Sequence, residues 1–155
     1  MQYTIDVRTI SESNTNEHWA VRRKRRKAQA ALTTMATRQA LRALPEDHPL
    51  KAEDAPINIL LRRVATRSLD SDNLPPAMKQ IQDSIADVLA PGMRPGMADG
   101  LLRFCWDYEQ RRGRKGELRK LPDGRMESKV EVEMSIYKIP TNVEYGTGRL
   151  FNRPE

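Results

Sequence analysis

Cysteine is nearly missing from this chain: Cys105 is the only one, so no disulfide closes within it. With only His18 and His48 beside it, no Cys/His set has zinc spacing either. No apolar stretch approaches the roughly 20 residues that a membrane helix needs. The first residues, Met1 to Asp6, lack the basic and then apolar regions of a secretory signal. We therefore expect a cytoplasmic protein without a membrane partner. Acids are scarce where they would be most needed: between Glu17 and Leu44, Glu17 alone faces eight Lys or Arg.

What is abundant is positive charge, and it is concentrated. The chain carries a formal net charge of +6 over 155 residues. One cluster holds Arg22, Arg23, Lys24, Arg25, Arg26, Lys27, Arg38 and Arg42, and its local excess is greater than the charge of the whole chain. A second runs from Arg111 to Arg125 and includes Arg112, Arg114, Lys115, Arg119 and Lys120 against Glu117 and Asp123. The remainder is acidic. Six consecutive cations repel one another unless something offsets them, and a phosphate backbone does so while releasing counterions. The alternative is an ordinary solvated helical face.

The length suits one domain with its own core. Tyr3, Ile5 and Val7 alternate with polar residues, the period of a half-buried strand. From about Glu17 the spacing of Val21, Ala28, Leu32, Met35 and Leu41 predicts a long helix that ends before Pro45. Ile57, Ile59, Leu60, Leu61 and Val64 predict a second strand. Leu74, Met78, Ile81, Ile85 and Val88 then recur on one helical face, with Pro75 and Pro76 in the first turn and Asp72 or Asn73 as cap. Leu102, Phe104, Trp106 and Tyr108 alternate in a third strand, and Val130, Val132, Met134 and Ile136 in a fourth. Strands three and four read as a hairpin joined by a long positive arm, and the segment 139–155 reads as an irregular tail. The expected architecture is a small α/β or α+β domain over residues 1–138, with about four strands in a mixed sheet and two main helices.

Three acids stand out within this frame. Asp70 and Asp72 lie two apart at the mouth of the second helix, and Asp99 lies directly before the third strand. Residues two apart in an extended segment point to one side, so Asp70 and Asp72 converge on one ion if Ser71 is extended. A hard divalent cation such as Mg²⁺ takes such oxygen ligands. The competing reading makes Asp72 a helix cap and Asp70 a turn residue. Trp106 and Tyr108 read as buried strand residues rather than stacking partners for bases, His18 as a surface residue, and Cys105 as an unlikely nucleophile without a His partner nearby in sequence.

The chain resembles the RusA family of Holliday junction resolvases, in the branch common in bacteriophages and prophages. The resemblance spans about residues 1–138. It is carried by the first strand with the polar Ser13-Asn14-Thr15-Asn16-Glu17-His18-Trp19 and basic helix, by Leu69-Asp70-Ser71-Asp72-Asn73-Leu74, and by Asp99 ahead of Trp106-Asp107-Tyr108-Glu109-Gln110 with Arg111-Arg112-Gly113 leaving it. It implies a homodimer that uses Mg²⁺ to make paired nicks across a four-way DNA junction. By position it implies Asp70, Asp72 and Asp99 as catalytic and metal-binding residues. The family often shows an Asp-Asp pair where this chain has Ala98-Asp99, and its founding members carry a lysine where Pro76 stands. Lys79, one helical turn further on, is the candidate to serve in that lysine's place.

Expected DNA contacts are Arg22, Arg23, Lys24, Arg25, Arg26, Lys27, Asn73, Arg111, Arg112, Arg114 and Lys115. Three readings are open: a Mg²⁺-dependent structure-selective endonuclease, a nucleic-acid-binding protein without catalysis, and a nuclease for other branched or single-stranded nucleic acids. The three acids separate the first two.

Overall fold

A computed structural model of the chain describes residues 1–10, 16–114, 116–122 and 124–137, so Lys115 and the expected tail at 139–155 lie outside the described residues. The alternating first segment forms strand β1, Gln2–Asp6, with Ile5 and Val7 buried. Helix α1 covers Trp19–Arg42 and stops before Pro45; His18 caps it, its Nδ1 accepting from the Ala20 amide at 3.3 Å. Strand β2, Ile57–Ala65, is followed by helix α2, Leu74–Leu89, and then by strands β3, Phe104–Arg112, and β4, Lys129–Ile136.

The four strands form one mixed sheet in the order β1-β4-β2-β3. Strand β4 is antiparallel to both β1 and β2, whereas β3 is parallel to β2. The expected β3–β4 hairpin is therefore wrong, because β2 lies between the two. Helix α2 carries the chain back along the sheet, as a parallel pairing of β2 and β3 requires. Strand β4, with Val130, Val132 and Met134 all buried, then takes an interior place, and β3, whose Trp106 and Tyr108 are only half-buried, takes the edge. Alternation fixes which face of a strand is buried, not which strand lies beside it.

Both helices pack on one face of this single α+β domain. The spacing read on α2 is confirmed: Met78, Ile81 and Ile85 are fully buried against Ile57, Ile59, Leu61, Val132 and Met134. Each such side chain contributes about 1.5–3 kcal/mol by leaving water. Helix α1 forms where its spacing predicts, but that spacing does not mark its buried side. Its buried residues are Gln29, Thr33 and Thr37, while Val21, Leu32 and Met35 are exposed. Two of these find partners on the strand side, Thr37 Oγ1 with the Tyr3 hydroxyl at 2.7 Å and Gln29 Nε2 donating to the Arg8 carbonyl, while the buried Thr33 hydroxyl has no hydrogen-bond partner among the described residues. Leu102, expected to open β3, stands almost fully exposed before it.

Among the described residues no helix is long and apolar enough to cross a membrane. The sheet face opposite the helices is polar: Arg62 bonds Glu109 at 2.7 Å and faces Glu131 at 3.6 Å across the strands.

Candidate functional site at the helix N-termini

Two groups of lining residues set the relative direction of the helices. Gln80 of α2 shares a groove with Trp19, Arg22, Arg23, Arg26 and Lys27 of α1, and at the other end Leu41 shares one with Val88 and Leu89. The helices therefore run parallel, and both N-termini, with their positive partial charge, lie at one end of the molecule. Strand β1 is antiparallel to β4, which is antiparallel to β2, so β1, β2 and β3 all run one way. Strand β2 ends where α2 begins, which puts Asp70 and Asp72 at the same end as the basic run.

That run stands clear of the core, since no residue of α1 before Gln29 is buried. Six successive residues turn through more than a full circle, so the cations surround the helix rather than share one face. Arg23, Lys24 and Lys27 are exposed, while Arg25 folds back onto the Glu17 carboxylate at 3.0 Å.

Asp70, Ser71 and Asp72 are exposed on a turn closed by the Asn73 amide donating to the Asp70 carbonyl at 3.0 Å. The extended Ser71 that would align the two carboxylates is absent, because the chain must turn there to enter α2. Asp72 is not the cap either: Asn73 holds that position and makes no side-chain cap bond, its Nδ2 lying 3.4 Å from Asp72 Oδ1. The start of this turn is held by Gln110, whose Oε1 accepts from the Leu69 amide at 2.8 Å and whose Nε2 donates to the Leu69 carbonyl at 2.6 Å. One side chain thereby reproduces both bonds of a strand pairing.

Asp99 sits in a short 3-10 turn, Ala98–Gly100, whose carbonyl at Asp99 accepts from Trp106 Nε1 at 3.0 Å. Its Oδ2 accepts from Lys79 Nζ at 2.6 Å and from Gln82 Nε2 at 3.2 Å, and Gln82 Oε1 accepts from the Tyr108 hydroxyl at 2.7 Å. Lys79 also bonds Asp83. Partial burial alone would lower the Lys79 ammonium, but the bonds and charges of Asp83 and Asp99 outweigh it and hold its pKa above the ordinary lysine value. Burial raises the Asp83 carboxyl, with Lys79 opposing, and burial also raises the Tyr108 hydroxyl.

Lys79 thus meets Asp99, and not Asp70 or Asp72. Among the described residues no group of three or more His, Cys, Asp or Glu is placed to hold a metal ion. The oxygen donors suit Mg²⁺ in kind, but Ser71 lies in a turn rather than extended between Asp70 and Asp72, and Asp99 is bound to an ammonium, so the three do not fit a metal centre in this arrangement.

The second basic cluster is also less free than its sequence implies. Arg111 Nη1 bonds Glu117 at 3.0 Å, and its Nη2 reaches both Glu117 and Glu131. Glu117 further accepts from the Arg114 amide at 2.7 Å and from Lys129 at 3.1 Å. The Arg111 hydrogen bond leads the effects that hold Glu117 well below the usual carboxylate range. Arg112 and Arg114 remain exposed, and Arg119 pairs with Glu127 at 3.2 Å.

Sequence reasoning missed Gln110 and Gln82, the amides that hold the two acid-bearing segments. The period of two in β3 contained the signal, because Trp106, Tyr108 and Gln110 share a face. No family model, curated protein or solved structure matches the chain.

Proposed function

We propose that this chain binds branched DNA through its phosphate backbone and acts as a Mg²⁺-dependent, structure-selective endodeoxyribonuclease, resolving four-way junctions by paired nicking as a cytoplasmic homodimer. The observation that carries the binding half is the basic start of α1, clear of the core and at the end of the molecule where α2 also begins. Phosphates gain there from Arg23, Lys24 and Lys27 and from both helix dipoles. The hydrolytic half rests on the resemblance to RusA resolvases, together with Asp70 and Asp72, exposed at that same end, and it requires Asp99 to leave Lys79 and the three carboxylates to gather on an ion, which they do not do in this structure. A junction has two equivalent strands, and a two-fold dimer would present one site to each.

The pairing of Asp99 with Lys79 favours a second reading, a DNA-binding protein without catalysis. The purified protein, incubated with a synthetic four-way junction and with a matching linear duplex, in Mg²⁺ and in chelator, separates the two. Paired nicks confined to the junction, lost with chelator and lost in Asp70→Asn, Asp72→Asn or Asp99→Asn while binding persists, support the nuclease. Binding without nicks under Mg²⁺ and Mn²⁺ leaves the non-catalytic reading.

A further inference from the structure

Helix α1 turns its apolar residues away from its own domain. Val21, Leu32 and Met35 are 52%, 40% and 62% exposed, and the residues that meet the fold instead are Gln29, Thr33 and Thr37. Ala31 and Leu32 each lie three or four residues from both Ala28 and Met35, and all four are exposed, so they form a continuous outward stripe. Along it runs a shallow groove whose lining mixes Ala30, Ala31, Thr34 and Met35 with the cations Lys27, Arg38 and Arg42. Small residues let another helix approach closely, and an apolar stripe on an exposed helix suits an amphipathic helix.

The charge on this face selects the occupant. Helix α1 has eight Lys or Arg and no acid. Among the described residues no salt bridge involves Lys24, Lys27, Arg38 or Arg42. The same helix of a second copy is disfavoured: packed antiparallel, two α1 helices set Lys24 and Lys27 of one against Arg38 and Arg42 of the other, and packed parallel they set each cation against its twin. Like charges so opposed are costly. Nucleic acid would meet the cations but would gain little from Leu32 and Met35.

We propose that the outer face of α1 from Lys27 to Arg42 is a docking surface for an acidic amphipathic helix of a partner protein. Its apolar side covers Leu32 and Met35, and its flanking carboxylates meet Lys27, Arg38 and Arg42. This surface shares Lys27 with the basic start of the helix that the proposed DNA contacts use, while Leu32, Met35, Arg38 and Arg42 lie beyond it.

The test uses the full chain and two fluorescent synthetic peptides of one composition. One has leucines at heptad a and d positions and glutamates elsewhere, and the other is its scramble without an apolar face. Anisotropy is expected to show the amphipathic peptide binding about tenfold tighter than the scramble. Leu32→Gln/Met35→Gln is expected to erase that difference, with the melting temperature and the affinity for duplex DNA kept. Equal binding of the two peptides by the wild-type chain overturns the proposal. So does a wild-type dimer, in sedimentation, that the double variant converts to monomer, since the face then belongs to a second copy. A double variant that loses duplex DNA as strongly as peptide assigns the face to nucleic acid instead.

Discussion

Glu117 is the residue that decides what the second basic cluster can do. Its carboxylate accepts from Arg111, the Arg114 amide and Lys129, and these bonds hold it far on the ionised side. In the unfolded chain a glutamate takes up its proton near pH 4.3. The folded pKa is lower, so the stabilisation is fully present above that pH and is lost progressively as pH falls below it. Thermal melting from pH 7 to pH 2 is expected to show this loss in the wild type and a flatter acid limb in Glu117→Gln. An acid limb unchanged by the substitution removes Glu117 from the account. At Asp99 the same logic of pairing sets a different outcome. The nearest cation is Lys79, already shared with Asp83, and that arrangement could not be read from a string of aspartates, because ion pairs form between residues distant in sequence. The candidate acids themselves were legible; their partners were not.

At the scale of elements the two helices teach opposite lessons about apolar spacing. On α2 the spacing of Leu74, Met78, Ile81 and Ile85 identifies both the helix and its buried side. On α1 the same reasoning picks the outward side. The difference lies in what each helix covers. Helix α2 lies over the aliphatic centre of the sheet, while α1 meets polar groups near β1, the Tyr3 hydroxyl and the Arg8 carbonyl, which Thr37 and Gln29 satisfy. A matched pair of truncations tests the assignment by urea denaturation. Ile81→Ala opens a cavity in the core and is expected to cost about 3 kcal/mol. Leu32→Ala on α1 is expected to stay within about 0.5 kcal/mol, as surface changes do. A large loss at Leu32 would mean that α1 buries its apolar stripe after all. The strands show the same limit: β1, β2 and β4 are visible in their alternation, but the insertion of β4 between β1 and β2 depends on contacts between segments far apart in sequence.

The whole molecule separates its charge by direction. The polar sheet face balances cations with acids, as Arg62 does with Glu109 and Glu131. The end where both helices begin carries the exposed cations Arg23, Lys24 and Lys27. Net charge and pI alone cannot predict this division, since they count Arg111, held by Glu117 and Glu131, as equal to Lys24, which is exposed. Salt dependence of DNA binding distinguishes the two kinds of cation. Each phosphate contact releases condensed counterions and steepens the slope of log K against log salt by about 0.9 on duplex DNA. With a labelled duplex as probe, Arg23→Ala/Lys24→Ala is expected to make the slope shallower by about 2, and to weaken binding alike across sequences. Arg111→Met is expected to leave the slope unchanged, because its charge is already neutralised within the fold. If instead Arg111→Met flattens the slope and the pair on α1 does not, the backbone is gripped by the arm after β3, and the basic start of α1 is a solvated face with no part in holding DNA.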